Sequence, residues 1–188
     1  MNSFYSRIEL DQIGFRTVGK DVLISRKVSI YNPSAMSVGD HVRIDDFCIL
    51  SGKIQIGNYV HIAAYTALYG GEIGIELHDF ANISARTNVY AALDDFSGNA
   101  LMGPTVPIQY RNVTAAKVIL KKHAIVGAHS IIFPNVIIGE GTAVGAMSMV
   151  KDNLEDWFIY VGVPVRKIKP RERKLLELEI EFLRNNKM

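Results

Sequence analysis

The chain has 188 residues, 48% of them hydrophobic and 21% charged, with 21 lysines and arginines against 19 acidic residues. That length suits one domain with a sizeable core, and the apolar fraction excludes a disordered chain. A net charge of +2 implies no general attraction to nucleic acid or to a membrane surface.

Residues 1–17 read as a lead-in. Met1 to Phe15 holds Arg7, Glu9 and Asp11 and has no apolar stretch of the signal-peptide kind. Cys48 is the sole cysteine, so no internal disulfide forms, and a reducing, cytoplasmic setting is expected.

From residue 18 an aliphatic side chain recurs at every sixth position. Val18, Ile24 and Ile30 lead, followed by Val38, Ile44, Leu50, Ile56, Ile62 and Leu68. After a three-residue slip around Gly70–Gly74 come Leu77, Ile83 and Val89. The period returns as Leu120, Val126, Ile132, Ile138, Val144 and Val150. Four positions after most of these stands a small or β-branched residue, such as Cys48, Thr66, Ala81, Thr87, Ala124, Ser130, Thr142 or Ser148.

Neither a 3.6-residue helix nor a two-residue alternation produces that pattern. A period of six needs a short strand and a turn, with one aliphatic side chain turned inward each time. Three units close a triangular coil of about 18 residues, and stacked coils pair in parallel about 4.8 Å apart. The period also explains an apparent membrane span. From Ala124 to Val150 the one charged residue is Glu140, but His129, Ser130, Pro134, Asn135 and four glycines do not suit a bilayer helix.

Between residues 90 and 117 the period fails. Gly98, Gly103, Pro104 and Pro107 mark a loop, and so long an excursion in a solenoid points to function. Its Phe96, Tyr110, Asn99, Gln109, Arg111 and Asn112 suit a polyhydroxylated ligand. Past the last repeat, residues 170–188 read as a helix that opens on Pro170. Leu175, Leu178 and Phe182 form one apolar stripe beside Leu176, Ile180 and Leu183, a face that covers the end or side of the solenoid.

The segments Val126-Gly127-Ala128, Ile132-Phe133-Pro134-Asn135-Val136, Ile138-Gly139-Glu140-Gly141 and Val144-Gly145-Ala146, with the tail Gly162-Val163-Pro164-Val165-Arg166-Lys167-Ile168, resemble the hexapeptide-repeat acyltransferases. The resemblance covers residues 18–170 and is strongest to the sugar O- and N-acetyltransferases of the galactoside/maltose and xenobiotic branches. It implies an all-β solenoid, a left-handed parallel β-helix over 18–169 with an extruded loop and a C-terminal α-helix. It also implies a homotrimer, acetyl-CoA as acyl donor, no metal, and a sugar or nucleotide-sugar acceptor. In that family the loop reaches the neighbouring subunit and helps form the acceptor pocket.

Carried over residue by residue, the resemblance puts Ala128, Ala146 and Ser148 against coenzyme A. The basic pair Arg166 and Lys169 matches the tail motif, and Lys151 falls where the family has a Thr-Lys pair. The position of the galactoside-type catalytic histidine holds Asp94, followed by Asp95. Either a carboxylate replaces the imidazole, or another histidine reaches the site, or no strong base is used. His61 matches a histidine near the thioester in bacterial amino-sugar N-acetyltransferases, while that branch's base position holds Gly52. A like-charged neighbour such as Asp95 would raise the Asp94 pKa, and an amine acceptor would need the weaker base. His123 and His129 read as structural, and His41 and His78 as turn residues. Two further readings remain: a non-catalytic scaffold, and a γ-type carbonic anhydrase. The latter needs two histidines five apart and a third, whereas His123 and His129 are six apart.

Overall fold

The computed structural model describes residues 3–185; Met1, Asn2 and the last three residues of the expected C-terminal helix lie outside the described residues. The chain winds as a left-handed parallel β-helix. Successive coils pair in register at one-coil spacing: Ile24 opposite Ile44, Ile44 opposite Ile62, Ile62 opposite Ile83, Ile83 opposite Val126, and Val126 opposite Val144. Val89 pairs Ile132 directly across the excursion. The repeat therefore resumes as though the loop were absent.

From Val38 to Val150, every side chain of the six-residue series named above is buried. The small positions Cys48, Thr66, Ala81, Thr87, Ala124, Ser130 and Thr142 are fully enclosed as well. They fill the corners, where larger groups would force the coil open. Enclosed hydroxyls bond to carbonyls: Thr66 Oγ1 donates to Ser84 O and Thr87 Oγ1 to Gly127 O, both at 3.2 Å.

All three corners turn through left-handed backbone conformations at residues other than glycine, the third at Asn32 and Asn135. One corner stacks Phe47 and Tyr65 and continues through Arg86, His129 and Met147. A second stacks His41, Tyr59, Phe80 and His123 with ring centroids 4.6, 4.8 and 5.1 Å apart. Ring stacking between coils offsets the cost of positive φ in residues with a Cβ.

The third corner absorbs irregularity. Strand Ile49–Ile56 runs beside Ala67–Leu77, with Ser51 opposite Tyr69 but Ile54 opposite Ile75. The three-residue slip is thus a bulge inside a continuous strand. The loop leaves from this same corner. Its neck is closed by antiparallel pairing of Ala92–Leu93 with Thr114–Ala115.

Both ends are covered. Helix α1 (Arg7–Ile13) starts on a capping box between Ser6 and Glu9 and sends Leu10 into the core. Composition had left this segment a featureless lead-in, although Ser6 with Glu9 three residues later is the capping-box pattern. At the other end, Phe158–Gly162 folds back on Val165–Pro170 as a hairpin. Helix α2 (Leu175–Asn185) therefore begins after Pro170, which closes a strand here. It lies on the aromatic corner: Phe182 meets Tyr59 and Phe80 edge-on, and Glu179 bonds Lys122 and His123. Among the described residues no helix is long and apolar enough to cross a membrane.

At the irregular corner, Gly52 has φ +82°, and an added Cβ would lie 2.4 Å from Gly71 O. Gly71 also has positive φ but open space around it. Gly52→Ala combines backbone strain with overpacking and should cost roughly 2–5 kcal/mol. Gly71→Asn should cost less than about 1 kcal/mol, because asparagine tolerates this conformation. Denaturant unfolding of the two variants checks the order, which equal losses would contradict.

Candidate functional site

The face built from the strands of Ile24, Ile44, Ile62, Ile83, Val126 and Val144 carries a second column of residues pointing outward. Arg43, His61, Asn82, Ile125, Ala143 and Ile159 follow one another in register. His61 lies mid-column, its Nε2 2.8 Å from Asp45 Oδ2. Asp45 also accepts from Arg43 Nε at 2.7 Å. Burial pushes the Asp45 carboxyl up, but the bonds from His61 and Arg43 outweigh it and hold it below the ordinary range. An ionised carboxylate only accepts, so the proton of His61 sits on Nε2.

Beside that column the coils present almost no side chains. Ala64, Ala85, Ala128 and Ala146 stack through Arg86 N–H to Ala64 O, His129 N–H to Ala85 O, and Met147 N–H to Ala128 O. Ser84 lies next to this trough, half-buried, with no partner for its hydroxyl among the described residues. Ser148, the third small residue expected against coenzyme A, differs. Its hydroxyl is buried in the corner, accepts from Gly162 N–H at 3.1 Å and faces Ala146 O at 3.4 Å. It holds the end of the coil together and has little to offer a ligand.

Arg166 and Lys169 stand at the C-terminal end of the same face. Arg166 pairs with Val161 and Lys169 with Ile159, across a bulge between Ile159 and Tyr160. Partners across a ladder share a side, so the bulge turns both cations outward while Lys167 falls opposite buried Tyr160. Lys167 is engaged by Glu155 at 2.7 Å, whereas Arg166 and Lys169 have no anionic partner among the described residues. Lys151 is elsewhere: it lines a pocket of about 290 Å³ with Asp94, Asp95, Phe96 and Phe133. The resemblance groups Lys151 with Arg166 and Lys169, but the fold sets it beside the loop.

That pocket lies against the loop. Asp94 accepts at Oδ1 from Arg111 Nη2 at 2.8 Å and Nε at 3.3 Å, and at Oδ2 from Gly103 N–H at 3.2 Å. The Arg111 guanidinium, only partly offset by desolvation, holds the Asp94 carboxyl below its usual range, with help from Gly103. Asp95 turns away and accepts from Ser97 N–H and Oγ–H at 2.8 and 2.9 Å. Those bonds lower its pKa too. The expectation that two adjacent carboxylates raise one another therefore fails, because each is bonded separately.

The two candidate bases do not share one surface. His61 belongs to the outward column, and Asp94 lies past the Arg86 corner and the next strand, in the loop. Within the chain, the two histidines weighed as metal ligands stand apart. His123 is buried in the aromatic corner and bonded to Glu179, while His129 stands at the other corner. Among the described residues no three potential ligands gather to hold a metal.

No protein-family model matches the chain. It is 43% identical over 184 residues to a dTDP-4-amino-4,6-dideoxy-D-glucose acyltransferase of Escherichia coli, covering 96% of this chain and 95% of that one. It is 74% identical to AntD, an N-acyltransferase from Bacillus cereus. The S84A variant of AntD, solved with dTDP-4-amino-4,6-dideoxyglucose and coenzyme A, superposes with a TM-score of 0.97 over 98% of this chain and 100% of AntD. The AntD complex with dTDP and 3-hydroxybutyryl-CoA superposes with a TM-score of 0.98 over all of both chains. AntD has also been solved as D94N and D94A variants. This chain carries Ser84 and Asp94. Ser84 is not among the residues that the sequence pattern singles out, although it places a hydroxyl between Ala63 and Gly127 of the adjoining coils.

Proposed function

The chain belongs to the hexapeptide-repeat acyltransferases of the sugar-modifying branch, and from that membership we propose that it transfers an acyl group from acyl-coenzyme A to the amino group of a dTDP-linked 4-amino-4,6-dideoxy sugar. The observation that carries this reading is Asp94, a half-buried carboxylate held ionised in the loop of a chain three-quarters identical to AntD.

The direction of the Asp94 pKa supports an amine as acceptor. A hydroxyl must lose its proton as it attacks, which asks for a base with a raised pKa. A neutral amine attacks with its own lone pair and becomes strongly acidic only once the bond forms. A weak base then suffices to take the proton. The thioester supplies the acyl carbon and a thiolate leaving group, so a C–N bond forms as the C–S bond breaks. Asp94 orients the amine and removes its proton, which ends on the departing sulfur or in solvent.

The trough of Ala64, Ala85, Ala128 and Ala146 suits a pantetheine arm, because backbone amides there stand clear of side chains. Arg166 and Lys169, free of anionic partners among the described residues and turned to the same face, suit the phosphates of the nucleotide end. Ser84 lies beside the trough, within reach of its contents, and His61 stays bound to Asp45 as an orienting group.

The working unit is a homotrimer. The loop exposes Phe96, Leu101, Met102, Ile108 and Tyr110, the first to 84%, and such apolar side chains on one short segment call for cover. A neighbouring copy would supply it and would bring the loop carboxylate to a trough it does not share within its own chain. Nucleotide-sugar chemistry and the lone cysteine, Cys48, support a cytoplasmic setting.

The direct test is thiol release with dTDP-4-amino-4,6-dideoxyglucose as acceptor, comparing acetyl-CoA with 3-hydroxybutyryl-CoA. Absence of release together with absence of coenzyme A binding would return the scaffold reading. Asp94→Asn should lower kcat about 10²–10⁴-fold, and near-wild-type turnover would exclude Asp94 as the base. Arg166→Ala and Lys169→Ala should each raise the KM for acyl-CoA about ten-fold with kcat nearly unchanged, since contacts far from the thioester act alike on ground and transition states. Light scattering should return three copies; an active monomer would remove the shared site.

A further inference from the structure

The loop contains one feature that general base chemistry does not require: the guanidinium of Arg111, which is itself mostly enclosed, with 18% of its side chain exposed. Its backbone is fixed by the short turn Ile108–Tyr110, with Arg111 N–H donating to Ile108 O at 3.1 Å, and by Leu101 N–H donating to Tyr110 O at 2.9 Å. The side chain then crosses from the returning limb of the loop to Asp94 on the outgoing limb, directly above the neck formed by Ala92–Leu93 and Thr114–Ala115.

An ionised carboxylate offers about four acceptor positions, two on each oxygen. Arg111 takes both on Oδ1, through Nη2 and Nε. Gly103 N–H takes one on Oδ2. One position remains, and it belongs to Oδ2. Resting on the reading of Asp94 given above, we infer that Arg111 is the positioning residue of the transfer reaction: with Nη2 and Nε both on Oδ1, and Gly103 N–H on Oδ2, it fixes the orientation of the Asp94 carboxylate and leaves Oδ2 as the atom that receives the amine proton. The neighbouring charges leave this arrangement intact. Asp95 is engaged by Ser97, and Lys151 lines the pocket from the coil side with no anionic partner among the described residues.

A loop that merely needed stapling would be served by any charge pair across its limbs. A base that must meet an amine in one orientation needs two donors held in one rigid plane on Oδ1, whereas a lysine ammonium binds as a point charge without that fixed geometry. A misplacement of about 1 Å in such a group costs on the order of 10²-fold in rate. The contribution is to orientation in the transition state, so it falls on kcat.

The test is steady-state kinetics of the full chain, with dTDP-4-amino-4,6-dideoxyglucose and acyl-CoA, for Arg111→Ala, Arg111→Lys and Asp94→Asn, together with thermal unfolding of each. Arg111→Ala should lower kcat about 10–100-fold while the KM for acyl-CoA stays within about two-fold of wild type. Arg111→Lys should keep the unfolding midpoint yet recover less than about a tenth of the wild-type kcat. Added guanidinium or methylguanidinium should restore kcat of Arg111→Ala at least about five-fold by returning two donors to Oδ1, a recovery that a purely structural role would not give. If Arg111→Ala does not fold, the same rescue is read as the deficit of Arg111→Lys alone. Full activity of Arg111→Lys, or a folded Arg111→Ala that guanidinium leaves unchanged, would overturn the inference. If Asp94→Asn keeps wild-type turnover, the reading of Asp94 fails and takes this inference with it. If Asp94→Asn is inactive while Arg111→Ala turns over normally, only the role of Arg111 falls.

Discussion

Everything in this molecule hangs on the parallel ladder between coils. Each coil must present its backbone to the next at one-coil spacing, and it does so only if all three corners turn tightly and the interior stays narrow. An aliphatic side chain at every sixth position fills that interior, contributing about 1.5–3 kcal/mol when fully buried. Small residues at the corners keep the triangle from opening. The recurrent left-handed backbone at Tyr59, Phe80, His123, Tyr65 and Arg86 is the cost of such corners, and ring stacking from coil to coil offsets it.

The same ladder distributes the functional groups. Residues one coil apart lie in columns, so a small residue conserved in position along the coils becomes a trough, as Ala64, Ala85, Ala128 and Ala146 do. A charge placed where the ladder ends becomes the end of that trough. Arg166 and Lys169 need more than spacing for this: three residues apart in a regular strand, they would face opposite sides. The bulge between Ile159 and Tyr160 restores a common side.

Much of this was legible in the residues. The period of six located the coils, the core and the loop, because burial in a narrow coil tolerates few substitutes at its inward positions. The slip at Gly70–Gly74 was legible as a slip, but its nature as a bulge depends on the pairing of Ser51 with Tyr69 and Ile54 with Ile75. The site was read less fully. Asp94 stood out by position, yet the separate bonding of Asp94 and Asp95 depends on how the loop returns, which no local pattern encodes. Lys151 reached the loop pocket for the same reason. The start of the last helix at Leu175 was hidden because Pro170, a good first helical residue, serves equally well at the end of an edge strand. Ser84 carried a faint signal, a hydroxyl between Ala63 and Gly127 in its column, which has meaning only once the columns are known.

A solenoid of this kind offers flat faces, whereas a small-molecule site needs concavity and exclusion of water. The coil cannot supply either without breaking its own ladder. It can extrude a loop at one corner, which costs the ladder nothing because Val89 still pairs with Ile132. It can also set its flat faces against another copy. The loop of residues 90–117 serves both ends: it bears the carboxylate on a stapled frame, and it carries exposed apolar side chains suited to a neighbour's surface. The loop thus leaves the coils at the one corner already irregular before it, at Gly52 and Gly71, where the fold has least to lose.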